Sequence, residues 1–179
     1  MRVYILDADA NRHNVYFVHE ADWDRLERLD ATPLASAWAP LTVQAPPGQP
    51  PGDYPNFQGV ASACVFSGRA VEVLGDLLEG RGELLPLTSE AGKFFLFNVT
   101  RFTDALDKEQ SVFQRFSDGG VMGVERYAFD PRRLSEGSIF KLRELPGLYK
   151  YVTDAFVERV REAGLTGFLF DRVVWEYEG

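Results

Sequence analysis

Cysteine is almost missing from this chain. Cys64 is the single example among 179 residues, so no internal disulfide can form, and its apolar setting, "VASACVF", points to a buried, unreactive thiol. Histidine is nearly as scarce. His13 and His19 do not cluster with Cys64, so the pattern of a structural zinc site is lacking and no metal is expected. Long apolar runs are also lacking. No stretch approaches the roughly 18 residues that a membrane-spanning helix needs, and "MRVYILDADANRHN" turns acidic too early to read as a secretion signal. A cytoplasmic location with no membrane partner is the expectation. In such a compartment the sequon Asn98-Val99-Thr100 would stay unglycosylated.

Positive charge is the minority sign. Lysine and arginine number 19 against 27 acidic residues, a net charge of -8. The imbalance is steepest near the start, in "DADA" and "EADWDRLERLD". A field of this sign repels phosphate backbones and argues against nucleic acid as a partner; it would steer a basic protein toward the chain. Motifs that carry enzymatic mechanisms are missing as well. We find no phosphate-cradling glycine-lysine loop, dinucleotide fingerprint, serine elbow or helical histidine pair, so no catalytic set and no cofactor is expected.

What is present is an ordinary globular composition, 45% hydrophobic and 26% charged, in a length suited to one full core. "VYIL" (3–6) and "VYFV" (15–18) read as a strand pair, followed by a short acidic helix in "HEADWDRLERL". Trp23 shares helical spacing with Leu26 and Leu29, the pattern of a core anchor. Six prolines fall between Pro40 and Pro55, and the part from 46 to 55 reads as a stiff surface connector. This divides the chain into an N-terminal segment, 1–45, the connector, and an α+β body, 56–179.

Within the body, Ser67 is placed to cap a helix over 68–79 whose apolar stripe is Ala70, Val73, Leu74, Leu77 and Leu78. "KFFLFNVT" (93–100) is a strand with Phe95, Phe97 and Val99 on one face. Its other face, Phe94, Leu96, Asn98 and Thr100, turns polar as it leaves the core. Further strands are expected at 123–129, 138–144 and 148–152. Thr153 should cap a helix over 154–163 that Gly164 ends, and "GFLFDRVVW" should close the fold as a strand. Strands outnumber helices without alternating strictly. The fold class is therefore α+β, with a mixed, largely antiparallel sheet and two or three packed helices.

Asp104 and Asp107 are the candidate carboxylate pair. They could act as acid and base, hold a hard cation, or stand at the rim of a pocket used by an enzyme or a small-ligand-binding protein, the alternative to a protein-binding function. "DALDKEQS" is equally the composition of a solvated turn, in which such side chains cap backbone amides.

"GELLPL", "FFLFNVTRFTDALDKEQS" and "SIFKLRELPGLYKYVTDAFVERVREAGLTGFLFDRVVW" carry a resemblance. From Tyr54 to Trp175 the chain resembles a bacterial domain family, formerly of unknown function, of immunity proteins in polymorphic toxin systems. The resemblance implies that the chain binds and neutralises a cognate toxin, and an acidic inhibitor suits a basic toxin. It brings no catalytic residues to transfer. Asp22, Trp23, Asp24 and Glu27, on the acidic N-terminal helix, are the first candidates for the toxin interface.

Overall fold

The computed structural model describes residues 1–179 except 27–28, 61 and 135–138. In chain order the elements are β1 (Arg2–Ile5), β2 (Asp7–Ala8), β3 (Asn14–Phe17), α1 (Trp23–Leu26), β4 (Leu41–Gln44), β5 (Asn56–Phe57), β6 (Val65–Ser67) and α2 (Gly68–Leu78). They continue with β7 (Gly82–Thr88), β8 (Phe94–Val99), β9 (Val112–Arg115), β10 (Val121–Arg126), β11 (Ile139–Phe140), β12 (Tyr151–Thr153), α3 (Asp154–Glu162), β13 (Phe168–Leu169) and β14 (Val173–Glu176). A six-stranded sheet has the order β5-β3-β4-β7-β8-β6, and a four-stranded sheet the order β11-β12-β1-β14. Among the described residues, only the β3–β5 and β4–β7 pairings are parallel in these sheets. The fold is α+β, as the element pattern implies.

Three hydrophobic cores hold these layers together. The first lies under the two longer helices, where Ala70, Leu74 and Leu78 of α2 and Phe156, Val157 and Val160 of α3 meet Tyr4, Phe66, Phe97 and Val99. The second fills the other face of the six-stranded sheet, with Phe94 and Leu96 facing Val15, Leu26, Leu29, Leu41 and Val43. The third packs Val3, Ile5 and Tyr151 against Leu106, Phe129, Phe140 and Leu142. Alternation along β1 and β8 therefore feeds two cores at once. This is why both strands read as nearly unbroken apolar runs.

The local signals for the helices hold well. Ser67 Oγ accepts a hydrogen bond of 3.0 Å from Ala70 N and caps α2, and Gly80 follows in the left-handed region at φ 68°. Gly164, at φ 60°, stops α3 in the same way. Thr153 differs from expectation. It is buried in β12 and makes no capping bond. Asp154 occupies the first turn instead, where its carboxylate accepts from Arg2 N (2.7 Å), Arg2 Nε (3.0 Å) and Tyr4 OH (2.9 Å).

Several strand assignments are corrected. β1 and β3 do form, but they do not pair with each other: β1 sits between β12 and β14, and β3 between β4 and β5. β1 is already filled on both edges by C-terminal strands. The closing strand is split, with β13 paired to β2 and β14 to β1. The strands over 138–144 and 148–152 shorten to β11 and β12, and residue 138 lies outside the described residues. β4 lies inside the proline-rich stretch, and β9 pairs with β10 as a separate hairpin. The connector also ends in the core: Asp53 and Tyr54 are buried, and Tyr54 stacks on Phe168 with ring centroids 4.6 Å apart. Asn98 does not leave the core either. It is 1% exposed and donates to Thr32 O (2.8 Å) and Glu83 Oε2 (3.0 Å), so its amide is inaccessible to modification in the folded chain.

Candidate functional site

The N-terminal candidates sit on a short excursion between β3 and β4. A 3-10 turn, Glu20–Asp22, runs directly into the single turn of α1. Asp22 is half-buried and accepts from Arg25 Nη1 at 3.1 Å. Arg25 also donates to Ala39 O and lies over the Trp38 ring. The Asp22 charge thus holds the turn in shape. Asp24 is exposed. Leu26 and Leu29 are buried, as their spacing implies, but Trp23 is 41% exposed. The three residues do not share one buried stripe, and Trp23 stands at the edge of a hollow of about 220 Å³ beside Gly59 and Val60. Its ring rests against Phe17 at 6.0 Å. Glu27 lies outside the described residues.

Asp104 and Asp107 are put to different uses. Asp107 Oδ1 accepts from the amides of Glu109 and Gln110, both at 3.0 Å, and Oδ2 accepts from Gln110 Nε2 at 2.7 Å. These bonds make it the cap of a solvated turn. Asp104 is 80% exposed and pairs loosely with Arg143 Nε at 3.7 Å. It lines a cleft of about 370 Å³ with Arg81, Arg101 and Arg133, and Asp107 is not among the lining residues. The structure does not assemble the two carboxylates as an acid–base pair.

Two features escaped the sequence reading. The first is the arginine cleft itself, whose members come from the turn before β7, the exit of β8 and the loop after β10. No spacing in the sequence links them. The second is a pair of buried lysines, Lys141 and Lys150, at 1% and 5% exposure. Lys141 Nζ donates to Leu29 O at 2.6 Å and Lys150 Nζ to Ala63 O at 3.3 Å. Burial pushes the Lys141 ammonium down to about 8. A signal for these was present: the chain has four lysines, and these two interrupt the apolar runs "IFKL" and "LYKYV". Cys64 is fully buried, as expected, and its Sγ accepts from Tyr54 OH at 3.5 Å.

The family described as "Immunity protein family (Imm11)" matches residues 85–174, about half the chain, and the chain belongs to this family. The matched span begins at residue 85 rather than at Tyr54, within β7, and closes within β14. No curated protein matches the chain. No helix among the described residues is long and apolar enough to cross a membrane.

Proposed function

We propose that this protein neutralises a cognate toxin of a polymorphic toxin system by forming a tight protein–protein complex in the cytoplasm, without catalysis of its own. Membership of the immunity family supports the class of function. The observation that carries the binding face is Trp23, a large aromatic left 41% exposed and flanked by Asp22 and Asp24. Trp is a favoured interface anchor, and acidic neighbours would speed capture of a basic toxin. Glu27, four residues after Trp23 in the sequence, is a further candidate for the toxin contact.

The test is co-expression with the product of the adjacent reading frame. That product should be lethal alone and harmless with this chain, and the two should co-purify. Trp23→Ala should weaken the complex by about 2 kcal/mol or more, roughly thirtyfold. Asp24→Lys should mainly slow association. A neighbour that is harmless on its own would remove the basis of the proposal, and unchanged affinity in both variants would move the interface to another surface.

A further inference from the structure

The cleft beside Asp104 has the wrong charge for the protein that contains it. Several arginines among the described residues are matched to carboxylates: Arg2 with Asp154, Arg69 with Asp53, Arg159 with Asp76, Arg172 with Asp7. Among the described residues, neither Arg81 nor Arg101 has a carboxylate within ion-pair distance, and both face the same cleft of about 370 Å³. Arg133 lines the same cleft. It is only loosely held, 3.8 Å from Asp130 and 3.4 Å from the backbone oxygen of Asp104.

Backbone hydrogen bonds fix where these side chains start. Thr100 N and Arg101 N both donate to Arg81 O, at 3.1 and 3.0 Å. Lys141 N donates to Arg101 O at 2.8 Å, and Thr103 N returns the link to Lys141 O at 3.1 Å. The backbone of Arg81 and Arg101 is thereby held side by side where the two main sheets meet, and both residues line the cleft. Positive side chains converging on one cleft attract an anion, and a fixed backbone lowers the ordering cost of binding it. Among the described residues Asp104 is the one carboxylate lining the cleft, and it pairs with Arg143, which itself lies over the Phe102 ring at 4.9 Å.

We propose that Arg81, Arg101 and Arg133 form a binding site for a phosphate-class oxyanion borne by a small molecule. The guanidinium fork matches phosphate oxygens in pairs, and three forks suit a group with several such oxygens better than a single carboxylate. The half-buried Phe102 and buried Leu134 and Phe140 give the cleft an apolar wall for the rest of the ligand. The site is independent of the toxin-binding proposal and stands or falls separately from it.

The experiment is a calorimetric titration of the full chain at low ionic strength with inorganic phosphate, pyrophosphate and adenosine diphosphate in turn. Pyrophosphate is expected to bind with a dissociation constant of about a millimolar or tighter, and added salt should weaken it. Stronger binding of adenosine diphosphate than of pyrophosphate would assign the apolar wall to a nucleoside; equal binding would assign the site to the free anion. Arg81→Gln and Arg101→Gln should each weaken binding by about tenfold, whereas Arg126→Gln, outside the cleft, should not. Far-ultraviolet circular dichroism and a thermal melt check that each variant is folded; were one of the pair to unfold, the other carries the test. Absence of binding by all three anions overturns the proposal, as does binding that survives both cleft substitutions. Binding of a polyglutamate peptide alone also overturns it, and would assign the cleft to an acidic protein segment.

Discussion

Lys141 Nζ lies 2.6 Å from the carbonyl oxygen of Leu29, at the end of a side chain that is almost wholly out of water. The contact joins the strand region after β11 to the end of the α1 excursion, 112 residues earlier in the chain. A carbonyl dipole only partly replaces the hydration lost by an ammonium, so burial lowers the proton affinity of Lys141 to about 8. Lys150 adds to that lowering, while Cys64 and Asp30 oppose it.

This relationship sets a pH dependence. Between about pH 8 and pH 10.5 the unfolded chain keeps a proton on Lys141 that the folded chain has released, so folding stability rises with pH across that window. The penalty is fully present below about pH 8 and amounts to roughly 3 kcal/mol when fully relieved. Tyr54 and Tyr151, both raised by burial, oppose the trend only above about pH 10, where free tyrosines ionise. Urea unfolding at about pH 7.5 and about pH 9.5 measures the slope. Lys141→Met should flatten it, and an equal slope in the variant would show that another group is responsible.

Asp53 joins three distant segments. It accepts from Ser67 Oγ (2.8 Å), Arg69 Nη1 (2.9 Å), Thr166 N (2.9 Å) and Thr166 Oγ1 (3.2 Å). Because Ser67 is also the cap of α2, loss of the carboxylate loosens the helix start and the turn after α3 together. Asp53→Ala should cost about 2 kcal/mol, since it removes a charged acceptor shared by the part-buried donors of Ser67 and Thr166. Asp53→Asn, which keeps the shape and one acceptor, should cost less. A thermal melt of each variant decides, and an unchanged midpoint for the alanine variant would contradict the assignment.

Removal of residues 1–6 should unfold the body of the protein. Val3, Tyr4, Ile5 and Leu6 are all buried, and β1 fills the slot between β12 and β14. Each lost side chain removes about 1.5–3 kcal/mol of burial, together more than a domain of this size has in reserve. A truncated chain that still gave dispersed amide resonances would show that the family-matched block folds without its first strand.

Elements with their own local chemistry were the most legible in the sequence. The helices over 68–79 and 154–163 carry their stripe and stop signals within a dozen residues, and they appear as α2 and α3 almost unchanged. Strand partners were harder to read because pairing is decided far along the chain. Nothing in "VYIL" says that its neighbours are residues 151–153 and 173–176. Asn98 was misplaced because polarity resembles exposure until a partner such as Glu83 is known. Glu83 spends its carboxylate on that amide and on Leu34 N and Ala35 N. Burial would raise its proton affinity, but those three donors outweigh it and hold the carboxyl below its usual range. The Asp107 turn could be read from its neighbours alone, whereas the arginine cleft exists only once α2, β8 and the loop after β10 are folded together.

β8 belongs to two cores, sending Phe97 and Val99 one way and Phe94 and Leu96 the other. Neither side can melt while the other stays ordered, because the shared strand would then expose one full apolar face to water. The helical layer and the α1 side of the molecule are thereby coupled into one cooperative unit. The shared strand should be the last part to exchange its amide protons, and the chain should unfold in one step despite its divided interior.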